Sequence, residues 1–167
     1  MKAKLIQEQG EKTYALILDK GDELMAELRS FANDKRLTAA HFTAIGAFST
    51  AMLGYFDRER KAYTKIPIDE QVEVLSLVGD IALKDGEPEV HAHVVVGKSD
   101  GTAHGGHVLE ARVWPTLEVV LAETPKHLRR KHDEETGLAL ISIESEELNQ
   151  AQRLGEARIE PDKGGNR

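Results

Sequence analysis

Short turns separate the β-type stretches between residues 71 and 122 and leave little room for helices between them. QVEVLSLVGDIAL (71–83) and VHAHVVV (90–96) alternate apolar and polar residues, as a strand with one face in the core does. The turns KDGEPE (84–89) and KSDGT (98–102) are too short for the crossover that parallel strands need. This pattern predicts an α+β domain with a mainly antiparallel sheet rather than a doubly wound parallel one.

One or two helices are expected beside the sheet. DELMAELRSFANDKR has apolar residues at positions 24, 25, 28, 31 and 32, which form one stripe on a helix. We predict a helix over 22–36, with Asp22 as its N-cap, and a short second helix over 126–136. The other predicted strands are 13–18, a strand pair over 41–56, 107–113 and 116–122 on either side of Trp114-Pro115, and 138–143.

The chain of 167 residues is long enough for one self-sufficient core, and no linker divides it. We predict a single domain over 1–144. Residues 145–167 are polar and end in PDKGGNR, so this C-terminal tail is expected to be partly disordered.

Composition excludes several classes of site. The chain has no cysteine, so disulfides, thiolate metal sites and cysteine nucleophiles are excluded. It shows neither an apolar leader nor a membrane span, and we expect a cytoplasmic protein. The net charge of −7 disfavours direct nucleic-acid binding, because such binding requires phosphate neutralisation. The basic run KHLRRKH (126–132) is followed at once by three acidic residues.

Four of the seven histidines lie within HAHVVVGKSDGTAHGGH (91–107). His91 and His93 share one face of a predicted strand, and Gly105-Gly106 is expected to turn the backbone so that His107 approaches them. Imidazole suits zinc, and three such ligands leave a fourth position for water. Surface or hydrogen-bonded core histidines are the alternative interpretation. Glu89, on the face of His91, and His104, in a predicted loop, are further candidates whose part stays open.

The segment 79–121 resembles the plants-and-prokaryotes-conserved (PPC) domain. The matching pieces are DGEPEVHAH, Asp100-Gly101, the GGH at 105–107, and LEVVL with Glu118. The chain looks like the stand-alone prokaryotic type, related to the domain of plant AT-hook proteins, although it lacks the AT-hook core. The resemblance implies an α+β fold, assembly as a homotrimer, and a metal, taken to be zinc, on His91, His93 and His107.

Two acidic residues near this motif are interpreted differently. Glu118 lies in the apolar strand TLEVVLA and is the candidate catalytic base, or a group that orients a histidine. An exposed strand position is its alternative interpretation. Asp80 is expected to be solvated, and a position lining a cleft is its alternative interpretation.

Three functions remain open at this stage. The first is a trimeric zinc-binding module with a regulatory or DNA-associated role, acting through a protein partner. The second is a zinc-dependent hydrolase or lyase that acts on a small polar molecule through a water on a three-histidine metal site. The third is a direct DNA-binding protein, for which the run 126–132 is the available basic cluster.

Overall fold

A computed structural model describes residues 1–8, 10–124 and 127–143. The predicted tail, 145–167, lies outside the described residues. The described part contains nine strands and one helix, in the order β1 (Lys2–Gln7), β2 (Thr13–Leu18), α1 (Leu24–Lys35), β3 (Ala39–Asp57), β4 (Ala62–Ile68), β5 (Val72–Lys84), β6 (Glu87–Gly97), β7 (Ala103–Glu123), β8 (Arg129–His132) and β9 (Ala139–Ser142).

The strands form one sheet that closes on itself at β6. The main path is β1-β2-β7-β3-β5-β8-β9, while β4 pairs with β3. Because β6 pairs with both β5 and β7, the strands β3, β5, β6 and β7 form a closed ring. Only β5 and β8 pair in parallel among the described strands. The predicted α+β class with a mainly antiparallel sheet is confirmed.

Three of the predicted breaks between strands lie inside single continuous strands. The expected strand pair over 41–56 is the one strand β3, and β7 runs on through both Gly105-Gly106 and the cis Trp114–Pro115 bond. In β3 the register shifts next to Gly46, which has a φ of 145°. A side chain there would collide with the carbonyl oxygen of Thr116. Glycine therefore marks a β-bulge here, a bend that keeps the strand continuous.

The predicted first helix is confirmed, and its cap lies one residue later than expected. The buried residues of α1 are those of the predicted stripe: Leu24, Met25, Leu28, Phe31 and Ala32. Glu23, not Asp22, is the N-cap, and its carboxylate accepts hydrogen bonds from the backbone N–H of Met25 and of Ala26. The same carboxylate accepts one from Ala111 N–H in β7, which ties the helix to the sheet. Asp22 instead binds the Met1 amino group at 2.9 Å.

The prediction of a second helix over 126–136 is wrong. Residues 125 and 126 are not described, but Arg129–His132 forms β8, which pairs with β9 as a hairpin. Asp133 closes the turn, since its side chain accepts from the backbone N–H of Thr136. The segment is mostly charged and has no apolar stripe that could hold a helix against the core. Strands β1 and β4 were not predicted.

The two faces of the sheet differ in what covers them. The inner face carries the core, including Leu16, Phe42, Leu77, Ile81 and Leu117, and α1 packs among these side chains. The outer face leaves large apolar side chains exposed at Ile17, Ile45, Leu75, Val78, Val95 and Val120. Among the described residues, no helix is long and apolar enough to cross a membrane.

We predict that Gly79→Ala destabilises the fold by about 1–3 kcal/mol, as overpacking does in a tight core. A Cβ at position 79 would collide with the Phe42 ring and lie 2.5 Å from the carbonyl oxygen of His91. Urea unfolding measures the change. Gly97→Ala is the matched control, since the three atoms nearest its Cβ would all belong to the Leu75 side chain, at 3.2–3.3 Å, and Leu75 is exposed enough to move. Equal stability of the two variants would contradict the prediction.

Candidate metal centre

A two-residue turn fixes which residues face each other across β5 and β6. Asp85 and Gly86 both have positive φ, 52° and 90°, as a type I′ turn requires. The resulting register places Asp80 opposite His91 and Val78 opposite His93. Because Ala92 and Val94 are buried on the inner face, His91 and His93 lie together on the outer face.

His107 reaches the same place through strand pairing rather than through a turn. It is the direct partner of His93 where β7 runs beside β6. The two glycines before it do not adopt positive φ, contrary to expectation. The expected close approach is present, since a Cβ on Gly106 would lie 2.8 Å from the carbonyl oxygen of Gly54 in β3. Gly106 thus lets β7 and β3 lie close beside His107.

Among the described residues, these three histidines are the only group of three or more potential ligands whose donor atoms lie close enough together to share one metal ion. One ring nitrogen from each lies within 4.8 Å of the others. The Nε2 atoms of His91 and His93 are 3.2 Å apart. Two nitrogens on a tetrahedral zinc ion at 2.0–2.1 Å stand about 3.3 Å apart. The donor set, and the spacing of His91 and His93, therefore fit a zinc-type ion.

Burial lowers the pKa of two of the three imidazoles, those of His93 and His107. It lowers the pKa of His107 to about 4, assisted by the charges of His91, His93 and Arg130. Burial, followed by the neighbouring His91, also lowers the pKa of His93. Tyr63 stacks on His107, with ring centroids 4.6 Å apart and planes at 22°. Neutral imidazole is the form that binds metal, so protons compete weakly with a metal ion for His93 and His107 near pH 7.

The other candidate residues lie outside this group. Glu89 pairs with Lys84 at 3.2 Å. His104 was expected in a loop but lies in strand β7. It is exposed, and its strand partner is Val96 of β6 rather than either of the β6 histidines. Glu118 is exposed on the outer face, with Ile17 and Ile45 as its strand partners, and no contact joins it to the histidines of its own chain.

Sequence reasoning missed two residues beside the cluster. Asp80, expected to be solvated, has one carboxylate oxygen 3.5 Å from His91 Nδ1, while its other oxygen accepts a hydrogen bond from Arg130. The signal for Asp80 was present in the sequence, because a two-residue turn at Asp85-Gly86 pairs residue 80 with residue 91. No comparable signal pointed to Arg130, whose segment was predicted to be helical.

Comparison with known proteins shows one matching family and similar solved structures. The model of the Plants and Prokaryotes Conserved (PCC) domain, the family also abbreviated PPC, matches residues 6–125. The chain is similar to a PPC protein from Pyrococcus horikoshii, with 34% identity, coverage of 86% of this chain and 96% of that one, and a TM-score of 0.75. It is also similar to a metal-containing protein from Archaeoglobus fulgidus, with 38% identity, coverage of 84% and 99%, and a TM-score of 0.75.

A third similar structure is that of a protein from Ralstonia eutropha named a putative DNA-binding protein. The identity is 30%, the coverage is 78% of this chain and 91% of that one, and the TM-score is 0.74. No curated protein matches the chain.

We predict that the metal-free protein loses stability as the pH falls from about 6.5 to about 4. In this range the unfolded chain protonates residue 107, whereas the folded chain, whose His107 pKa is about 4, does not. The unfolded state therefore binds more protons, and stability rises with pH. Urea midpoints of the wild type and of His107→Gln, measured at several pH values, test this. The variant should show the shallower dependence, and an equally steep one would contradict the assignment.

Proposed function

The chain belongs to the Plants and Prokaryotes Conserved domain family, and we propose that it is a cytoplasmic member that binds one zinc ion per chain through His91, His93 and His107. The ion's role in this proposal is to complete a trimeric module with a regulatory or DNA-associated function. The observation that carries the proposal is the convergence of three imidazole nitrogens within 4.8 Å on one sheet face. The metal-containing relative from Archaeoglobus fulgidus supports it.

Assembly as a homotrimer is supported by the outer face of the sheet. Ile45 is 61% exposed and Val78 51% exposed, and Val120 lies on the same face. Contiguous apolar surface of this kind marks sites of protein association. Glu118 lies among these side chains, next to Ile45. A second copy of the chain is the occupant we propose for this face, in keeping with the assembly that the family resemblance implies.

A DNA-associated role, in this proposal, runs through a protein partner rather than through direct contact with phosphates. The net charge of −7 opposes such contact. Within the basic run 126–132, Arg130 is buried to all but 7% and its charge is paired with Asp80. It is thus unavailable to a phosphate. The similarity to the named DNA-binding relative motivates a DNA-associated role but assigns it no surface here.

The alternative function is a zinc-dependent hydrolase or lyase. It is favoured by the exposure of His93, which leaves the metal centre open to solvent on one side. A zinc ion on three neutral histidines supplies a bound water of lowered pKa, which is a nucleophile near neutral pH. Glu118 would serve as the base only if a neighbouring subunit brought it to the histidines, given its position beside Ile17 and Ile45 in its own chain.

We predict near one zinc per chain by elemental mass spectrometry, in untagged protein purified without chelator. His91→Ala and His107→Ala should each abolish stoichiometric binding, because two imidazoles do not hold the ion at this surface. His104→Ala is the matched control, an exposed histidine of β7 outside the cluster. Full metal content in both ligand variants would overturn the assignment. The same zinc-loaded and metal-free preparations, assayed on small esters, amides and lactones, test the enzyme alternative.

We predict that Ile45→Glu converts a trimer into monomers at micromolar concentration, as measured by light scattering after size exclusion. A charge placed on an apolar interface is left desolvated without a partner. Tyr55→Ser is the matched control. Tyr55 is 69% exposed, but its strand partner is Thr64 of β4, away from the exposed apolar residues Ile45, Val78 and Val120. A wild type that is already monomeric would remove the proposed assembly.

A further inference from the structure

The two ring nitrogens of His91 face different partners. Nε2 lies 3.2 Å from His93 Nε2, on the side where the three histidines converge. Nδ1 lies 3.5 Å from a carboxylate oxygen of Asp80, at the outer limit of a hydrogen bond. If Asp80 accepts a hydrogen bond from Nδ1–H of His91, the lone pair of the neutral ring is left on Nε2, where a metal would bind.

Asp80 is itself held by Arg130. The Arg130 Nη2 atom donates to the second oxygen of Asp80, and Nη1 donates to the backbone carbonyl of Ala139 in β9. The Arg130 side chain is only 7% exposed, so its position is fixed by these contacts rather than by solvent. Arg130 thus holds the Asp80 carboxylate in place beside His91.

The C-terminal hairpin of β8 and β9 supplies this arginine. Its pairing to the ring of strands is slight, because β8 pairs with β5 only at Leu83 and Arg129. Lys61 adds a second attachment by donating to the carbonyl oxygen of Glu134 in the turn. The Asp80–Arg130 ion pair is therefore a main connection between the hairpin and the metal centre.

We propose that Asp80 and Arg130 are positioning residues that fix the tautomer and ring orientation of His91, and that through them docking of the β8–β9 hairpin is coupled to metal affinity. The coupling rests on the proposed metal function, whereas the tautomer does not. Because linkage is reciprocal, metal binding should in turn stabilise the hairpin. The structure thus assigns the hairpin a role in tuning the site, although it contributes no ligand.

The first test needs no metal. Imidazole nitrogen NMR of the metal-free protein should show His91 as the Nδ1-protonated tautomer in the wild type. In Asp80→Asn it should show a mixture, or the Nε2-protonated form. Glu89→Gln is the control and should leave the tautomer unchanged. Glu89 lies on the same face of β6 as His91, but its carboxylate pairs with Lys84. An unchanged tautomer in Asp80→Asn would overturn the positioning role, whatever the protein's affinity for zinc.

The second test measures metal affinity by chelator competition and the visible absorption of the cobalt-loaded protein. Asp80→Asn should bind about 10–100-fold more weakly than the wild type and show a shifted cobalt spectrum, as loss of a carboxylate behind a ligating histidine does. Glu89→Gln should match the wild type in both readouts. Equal affinity and spectra in the two variants would overturn the inference. A wild type that takes up no cobalt would instead overturn the proposed metal function.

Arg130 is tested by Arg130→Lys, which keeps the charge, alongside Arg130→Met, which removes it. The double variant Arg130→Met/Asp80→Asn completes the test. If Arg130 acts through Asp80, its loss of metal-binding free energy should be smaller than the sum of the losses in the two single variants. Additive losses would overturn the coupling.

Hydrogen exchange tests the reciprocal effect of the metal on the hairpin. Exchange of the β8–β9 amides should slow when zinc binds to the wild type but not when it is added to Asp80→Asn. If Arg130→Met does not fold, the same measurement is made on Arg130→Lys.

Discussion

The two-residue turn at Asp85-Gly86 is the constraint on which the site depends. It fixes the pairing of β5 with β6, and a slip of one residue would move every side chain of β6 to the other face. His91 and His93 would then face the core, and Val90 and Val94 would face solvent. The same register places Asp80 against His91. A turn between neighbouring strands thus fixes two histidines of a site whose third histidine comes from a different strand, β7.

The sequence predicted those parts of the fold in which one local pattern dominates. The stripe at 24, 25, 28, 31 and 32 specified α1, and the spacing of His91 and His93 specified a shared face. Glycine was the main source of error, because Gly46 and Gly105 signal turns in a sequence but lie within long strands here. Whether a glycine ends a strand or bends it depends on the neighbouring strand, which no local pattern reveals.

The unpredicted parts of the site depend on tertiary contacts. Arg130 belongs to a charged run that local rules interpret as a solvated helix face, yet it is buried against Asp80. The outer face of the sheet joins the histidines to the exposed apolar residues, since Val78 is the direct strand partner of His93. Any partner that covers the apolar residues would therefore approach the metal centre, so that assembly and access to the site are not independent.

The closure of the sheet at β6 also bears on aggregation. VHAHVVV is rich in β-branched residues, low in charge and free of proline, which are the features of segments that stack into fibrils. Over residues 93–97, β6 is paired on both sides, with β5 and with β7, and so offers no free edge there for another chain to extend. Conditions that separate β7 from β6 would create such an edge and, in the same step, take His107 away from His91 and His93.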